Sequence, residues 1–145
     1  MNETLKEILT CALGTMCFAV GMDIPKRYLP AVAAGSLYTS IISTLLVQNG
    51  ASTFTSVFLA AMFTALFSET FARILKVPSV VLLLPISIPL LPGSNLYYTV
   101  FNIIHANRSG FLFHFTETAV TGFAIAAGIL IISAVFRLLT PPNDQ

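Results

Sequence analysis

Two carboxylates sit inside stretches too apolar to hold a charge without reason. Glu69 lies within a long hydrophobic run with Arg73 one turn later, a spacing that sets both side chains on the same face of a helix. Glu117 stands among His114, Thr116, Thr118 and Thr121 at the start of another run. A charged group at the centre of a membrane helix costs about 2.5–3.5 kcal/mol on insertion scales, so such residues face a polar interior. The chemistry open to Glu69 and Glu117 is therefore proton uptake and release, or contact with a polar solute. The plainer alternatives are a structural ion pair between Glu69 and Arg73 near an interface, and an interfacial position for Glu117.

Other reactive residue types carry less. His105 and His114 have no acid or cysteine at metal-ligand spacing, and they read as interfacial or hydrogen-bonded histidines with no metal expected. Cys11 and Cys17, six residues apart in one apolar segment, read as free thiols. Ser36, Ser40 and Ser43 fall near one helical face with Gly35, a pattern that fits either a polar path or close helix contact. Gly122 with Ala126 and Ala124 with Gly128 repeat that small-residue spacing and argue for close packing. A glycine-rich phosphate loop, a nucleophile elbow and a His-Glu-x-x-His motif are all missing, so neither an enzyme nor a cofactor is expected.

The elements that must position these residues follow from composition. Hydrophobic residues make up 56% of the chain and charged residues 9%, against roughly 25% charged in an average soluble domain. The mean hydropathy is +0.87, and lipid is the solvent that suits such a surface. A net charge of +1 offers no basic field for nucleic acid. A membrane-spanning helix takes about 20 residues, so the 145 residues hold four or five such helices and no soluble catalytic domain. The N-terminal apolar stretch follows Glu3 and Glu7 and lacks a small-residue cleavage site, which reads as a retained helix rather than a signal peptide. Asn2-Glu3-Thr4 and Asn107-Arg108-Ser109 match the short glycosylation pattern, which also occurs by chance.

The expected fold is an all-α membrane protein, a single integral membrane domain over residues 1–145 with four spanning helices plus a proline-broken or re-entrant fourth element. The first helix runs from about Leu5 to Val20 and ends before the loop Asp23-Ile24-Pro25-Lys26-Arg27. The second runs from about Ala31 to Val47. The turn Gln48 to Ser52 leads into the third, from about Thr53 to Leu75. Lys26, Arg27, Arg73 and Lys76 then fall on one side, which the positive-inside rule assigns to the cytoplasm. Val77 to Gly93 is strongly apolar but holds four prolines, and each internal proline removes a donor and frees the carbonyl four residues back. Broken membrane helices of this kind are tolerated where they line a cavity or bind a solute. Asn95 to Asn107 reads as a short amphipathic helix, and the last helix from about Phe113 to Leu139. The fourth element either crosses or turns back; crossing is preferred, with the C-terminus inside.

Two stretches carry a resemblance. Phe18-Ala19-Val20-Gly21-Met22-Asp23-Ile24-Pro25-Lys26-Arg27 and Pro85-Ile86-Ser87-Ile88-Pro89-Leu90-Leu91-Pro92-Gly93-Ser94-Asn95-Leu96-Tyr97 resemble the second, shorter membrane half of the threonine/serine exporter (ThrE) family. In that family the two halves are fused or encoded separately, and this chain looks like the separate short subunit. The resemblance implies a multi-pass inner-membrane protein that acts with a longer membrane subunit. It also implies proton-coupled export of small polar metabolites, threonine and serine or dicarboxylates such as succinate.

The working expectation is a path lined by Pro85, Pro89, Pro92, Gly93, Ser94, Asn95 and Tyr97, with Glu69 or Glu117 as the proton-responsive group. A non-transporting scaffold for the partner and a homo-oligomeric pore are the competing readings.

Overall fold

The computed structural model describes residues 2–139, with side chains from residue 9 onward; the side chains of the Asn2-Glu3-Thr4 pattern and of Glu7, and the tail after Leu139, lie outside that description. The elements are α1 (Asn2–Gly21), α2 (Leu29–Gln48), α3 (Thr53–Leu75), α4 (Ser79–Ile86), a 3-10 turn (Ile88–Leu90), α5 (Gly93–Ile104) and α6 (Arg108–Leu139). All regular structure among the described residues is helical, as expected from the sequence. Three helices, α2, α3 and α6, are long and apolar enough to cross a membrane, and α1 adds the shorter apolar segment Leu9–Gly21.

Small and polar residues fill much of the interior beside Val32, Leu82 and Ile86, while most large apolar ones face outward. Ala60, Ala61, Ala65, Ser36, Thr39, Ser56, Thr64 and Ser68 are fully buried, whereas Leu13, Phe63, Phe123, Leu130 and Leu138 are exposed. Water would drive the opposite arrangement. In lipid, helices gain nothing by hiding leucine from an equally apolar solvent, so small residues take the contacts and let the backbones approach.

The α2–α3 hairpin forms the centre. Ser52 caps α3 by accepting a hydrogen bond from Thr55 N at 3.3 Å. Thr39 and Thr64 bond across the helix pair at 2.8 Å, and Tyr38 packs on Phe63 and Phe67. The start of α4 joins the end where α1, α2 and α3 meet, with Ala19, Ile24, Val32, Ala72, Leu82 and Ile86 in one cluster. Farther along, Leu90 reaches Ala60 and Ala61. The fourth element therefore runs antiparallel along α3.

α6 packs on the far side of α3. A Cβ on Gly128 would lie 2.8 Å from Phe58 O and 2.9 Å from Ala61 Cβ, so glycine permits the two backbones to touch. Ser133 bonds Glu69, and Arg73 bonds the Phe136 carbonyl. Residue numbers rise together on α3 and α6, so these helices are parallel. The fourth element thus traverses the bundle rather than turning back, and α6 ends beside Arg73.

Three helices end alike. Asp23, Lys76 and Ala106 take left-handed φ of 55°, 53° and 52°. Ile24, Val77 and Asn107 then donate to the carbonyls of Ala19, Ala72 and Asn102, the six-to-one bond of a Schellman cap. α6 begins at Arg108 rather than Phe113, because the Asn107 side chain accepts from Gly110 N at 3.2 Å and caps the earlier turn.

α5 folds back on α6 as a hairpin. Gly128 of α6 is level with the Phe58 to Met62 stretch of α3, so the first turns of α6 project beyond the start of α3 by ~18 Å at 1.5 Å per residue. α5 accompanies that projecting part.

Candidate functional site

The proline-rich crossing is two short helices joined by a 3-10 turn. Pro78 and Pro92 sit at the N-caps of α4 and α5, where a missing N–H is harmless. Pro85 lies inside α4, fully buried, and the helix continues past it for one residue; the break comes at Ser87. Ser87 N donates to Leu83 O and Leu90 N to Ser87 O, closing the tighter turn. Lacking N–H groups, Pro85 and Pro89 leave the carbonyls of Val81 and Pro85 without their helical donors.

Ile86, at the end of α4, reaches the centre of the bundle. A Cβ on Gly35 would come within 2.5 Å of Ile86 Cδ1 and 2.8 Å of a Phe67 ring carbon, so Gly35 opens the space into which that side chain fits. Around this level lie the buried hydroxyls Ser36, Thr39, Thr64 and Ser68, with Ser40 nearly as buried. Ser43 is only half-buried. The sequence signal for Thr64 and Ser68 is their spacing with Ala60, Ala61, Ala65 and Ala72, which brings a small-residue face onto α2 and α4, a counterpart to the serines of α2.

The residues expected to line one path separate into two groups. Pro85 is enclosed in the bundle and Pro89 is half-buried beside it. Beyond the break, Pro92 and Asn95 are half-buried, Gly93 and Ser94 are exposed, and Tyr97 is 63% exposed. Asn95 turns toward α6, where His114 Nδ1 donates to its Oδ1 at 3.0 Å. Tyr98 stacks on the same imidazole. Thr99 and Asn102 continue this inward polar face, so the amphipathic face expected of α5 is present and it is the polar side that is covered. His114 is thus hydrogen-bonded, one of the two readings open to it from the sequence, and its partner across the hairpin has no local signature.

The two acids do not converge. Glu69 Oε1 accepts from Ser133 Oγ at 3.3 Å, near the end of the bundle that holds Arg73 and Lys76. Arg73 donates to Phe136 O at 3.2 Å and lies 4.8 Å from the Phe136 ring centroid. Glu117 is half-buried on the projecting hairpin, and its own carbonyl accepts from Thr121. From Glu117 to Ser133 along α6 is about 24 Å at 1.5 Å per residue. Any proton role for both acids would act at opposite ends of the molecule. Among the described residues, no cluster of three histidine, cysteine or acidic side chains is positioned to hold a metal.

The profile of the family described as "Threonine/Serine exporter, ThrE" matches residues 7–135, the stretch from α1 to the last turns of α6. Neither the curated proteins nor the solved structures yield a match.

Proposed function

The chain belongs to the threonine/serine exporter family, and on that premise we propose that it is the short membrane subunit of a secondary transporter. It spans the inner membrane several times and exports small polar metabolites, threonine and serine or dicarboxylates such as succinate, in company with a longer membrane subunit. Export is coupled to the proton gradient through Glu69 or Glu117. The chain is not itself an enzyme.

The observation that carries this reading is the family match over nearly the whole chain. The broken crossing supports it: α4 ends and α5 begins inside one traverse, and helix ends present carbonyls at one side and N–H groups at the other. Such half-helix ends are used by carriers to meet polar solutes and coupling ions. The lysines and arginines at the Arg73 end favour a cytoplasmic location for that end.

The test is co-purification of the full chain with its membrane partner, followed by efflux of radiolabelled threonine, serine and succinate from proteoliposomes under an imposed proton gradient. Gradient-dependent efflux that needs both chains is expected. Full efflux by the partner alone would reduce this chain to a scaffold, and efflux by this chain alone would favour a homo-oligomeric pore.

A further inference from the structure

Hydroxyl groups in apolar helices normally satisfy themselves on their own backbone. Thr15, Thr64 and Thr121 bond the carbonyl four residues back, and Ser36 the one three back. Ser40 and Ser68 are exceptions: they are 6% and 0% exposed, and neither hydroxyl has a hydrogen-bond partner among the described residues. A buried hydroxyl left unpaired costs about 1–3 kcal/mol, which calls for an explanation at each position.

Their location supplies one. Leu82 clusters with Ala72 and Ile86 abuts Phe67, so Ser68 is level with the stretch of α4 from Leu82 to Ile86. Ser40 lies on α2 between Gly35, which meets Ile86, and Ile42, which packs near Leu90. That same stretch contains the carbonyl of Pro85, whose helical donor would be the N–H that Pro89 lacks. Two buried hydroxyls without partners thus flank an element whose Pro85 carbonyl lacks its ordinary helical donor, and no bond from either serine reaches it.

We propose that Ser40, Ser68 and the proline break frame an internal site for a hydroxyl group that accepts from a serine and donates to the Pro85 carbonyl. Two sources share that chemistry: an ordered water, or the side-chain hydroxyl of a transported hydroxy amino acid. The second source rests on the exporter reading above; the first does not.

Two measurements test the site on the full chain with its membrane partner. In proteoliposomes, efflux of L-threonine is compared with that of L-2-aminobutyrate, which replaces its hydroxyl with hydrogen. If the substrate hydroxyl occupies the site, Ser68→Ala and Ser40→Ala each lower the threonine preference about tenfold, the worth of one hydrogen bond. Independently, radiolytic labelling in ¹⁸O-water reads bound water at the Ser68 and Pro85 peptides without any transport. If water occupies the site, those peptides take up label in the wild type and lose it in the Ser68→Ala, Ser40→Ala double variant. An unchanged preference together with no labelled water at either peptide overturns the site. Wild-type vesicles that move no amino acid defeat the exporter reading instead, and the labelling still decides the site.

Discussion

Glu69 and Ser133, 64 residues apart in sequence, share a hydrogen bond at 3.3 Å that joins α3 to α6. The contact gives the Glu69 carboxylate a polar partner on a stretch of α6, Gly122 to Phe136, that is otherwise apolar. It also ties α3 to α6 through the Glu69 side chain, so replacing that carboxylate removes a polar link between the two helices.

Glu69→Gln is expected to flatten the pH dependence of efflux and to slow it at least tenfold, with Ser133→Ala having a several-fold smaller effect. Efflux is measured from proteoliposomes at a series of imposed proton gradients. Normal export by a Glu69→Gln, Glu117→Gln double variant would remove the proton role from this chain.

Gly128 and Gly122 lie on the same helix but differ in their surroundings. A Cβ at Gly128 meets backbone atoms of α3, whereas one at Gly122 meets nothing within 4 Å. Gly128→Ala should destabilise the protein by about 1–3 kcal/mol through overpacking. Gly122→Ala should be neutral or stabilising by up to about 1 kcal/mol, as alanine is the better helix former. Thermal unfolding in detergent compares the two.

Ala106 holds a left-handed conformation at the C-terminal end of α5 with φ 52°, where a side chain costs roughly 1–2 kcal/mol. Ala106→Gly should therefore raise thermal stability by about 1 kcal/mol. A lower melting temperature would mean that the methyl group makes a compensating contact.

Pro89→Ala restores an N–H that can reach the Pro85 carbonyl and extend α4 through the break. Transport should fall while folding is kept, as judged by efflux and by size-exclusion profile. Undiminished transport would argue against the break as a binding or moving element.

Single cysteines at Lys76, Arg137 and Arg108, introduced into a Cys11→Ala, Cys17→Ala background, test the chain direction in a bilayer. Because α3 and α6 run parallel, positions 76 and 137 should react with an impermeant thiol reagent from one side and position 108 from the other. Labelling of 76 and 137 from opposite sides would contradict a complete fourth crossing.

Much of the helix pattern could be read directly from the sequence. α3 was expected over Thr53 to Leu75 and is found there, because a capping serine and a run of apolar residues ending at a charged turn define it locally. The start of α6 was placed five residues late, since the Asn107 cap acts through a side chain that looks like ordinary loop composition. Crossing and re-entry each leave one of Arg108 and Arg137 on either side, so charge alone does not choose between them. That choice lay in contacts between distant residues, such as Gly128 with Phe58 and Arg73 with Phe136. The proline break was visible in the spacing of Pro85 and Pro89, but the unpaired state of Ser40 and Ser68 depends on where neighbouring helices sit and has no local signature.

The 32 residues of α6 form a rod of about 48 Å. To remain within a hydrocarbon layer of about 30 Å it would have to lean by about 50°, and membrane helices lean by 0–40°. α6 is a ruler longer than the layer it measures. In a bilayer its first turns and the α5 segment beside them would reach the headgroups or pass them; Tyr97, Ile103, Ile104 and Phe113 there are uncovered. Whatever approaches the membrane from that side, solute or protein, meets this hairpin before it meets the bundle.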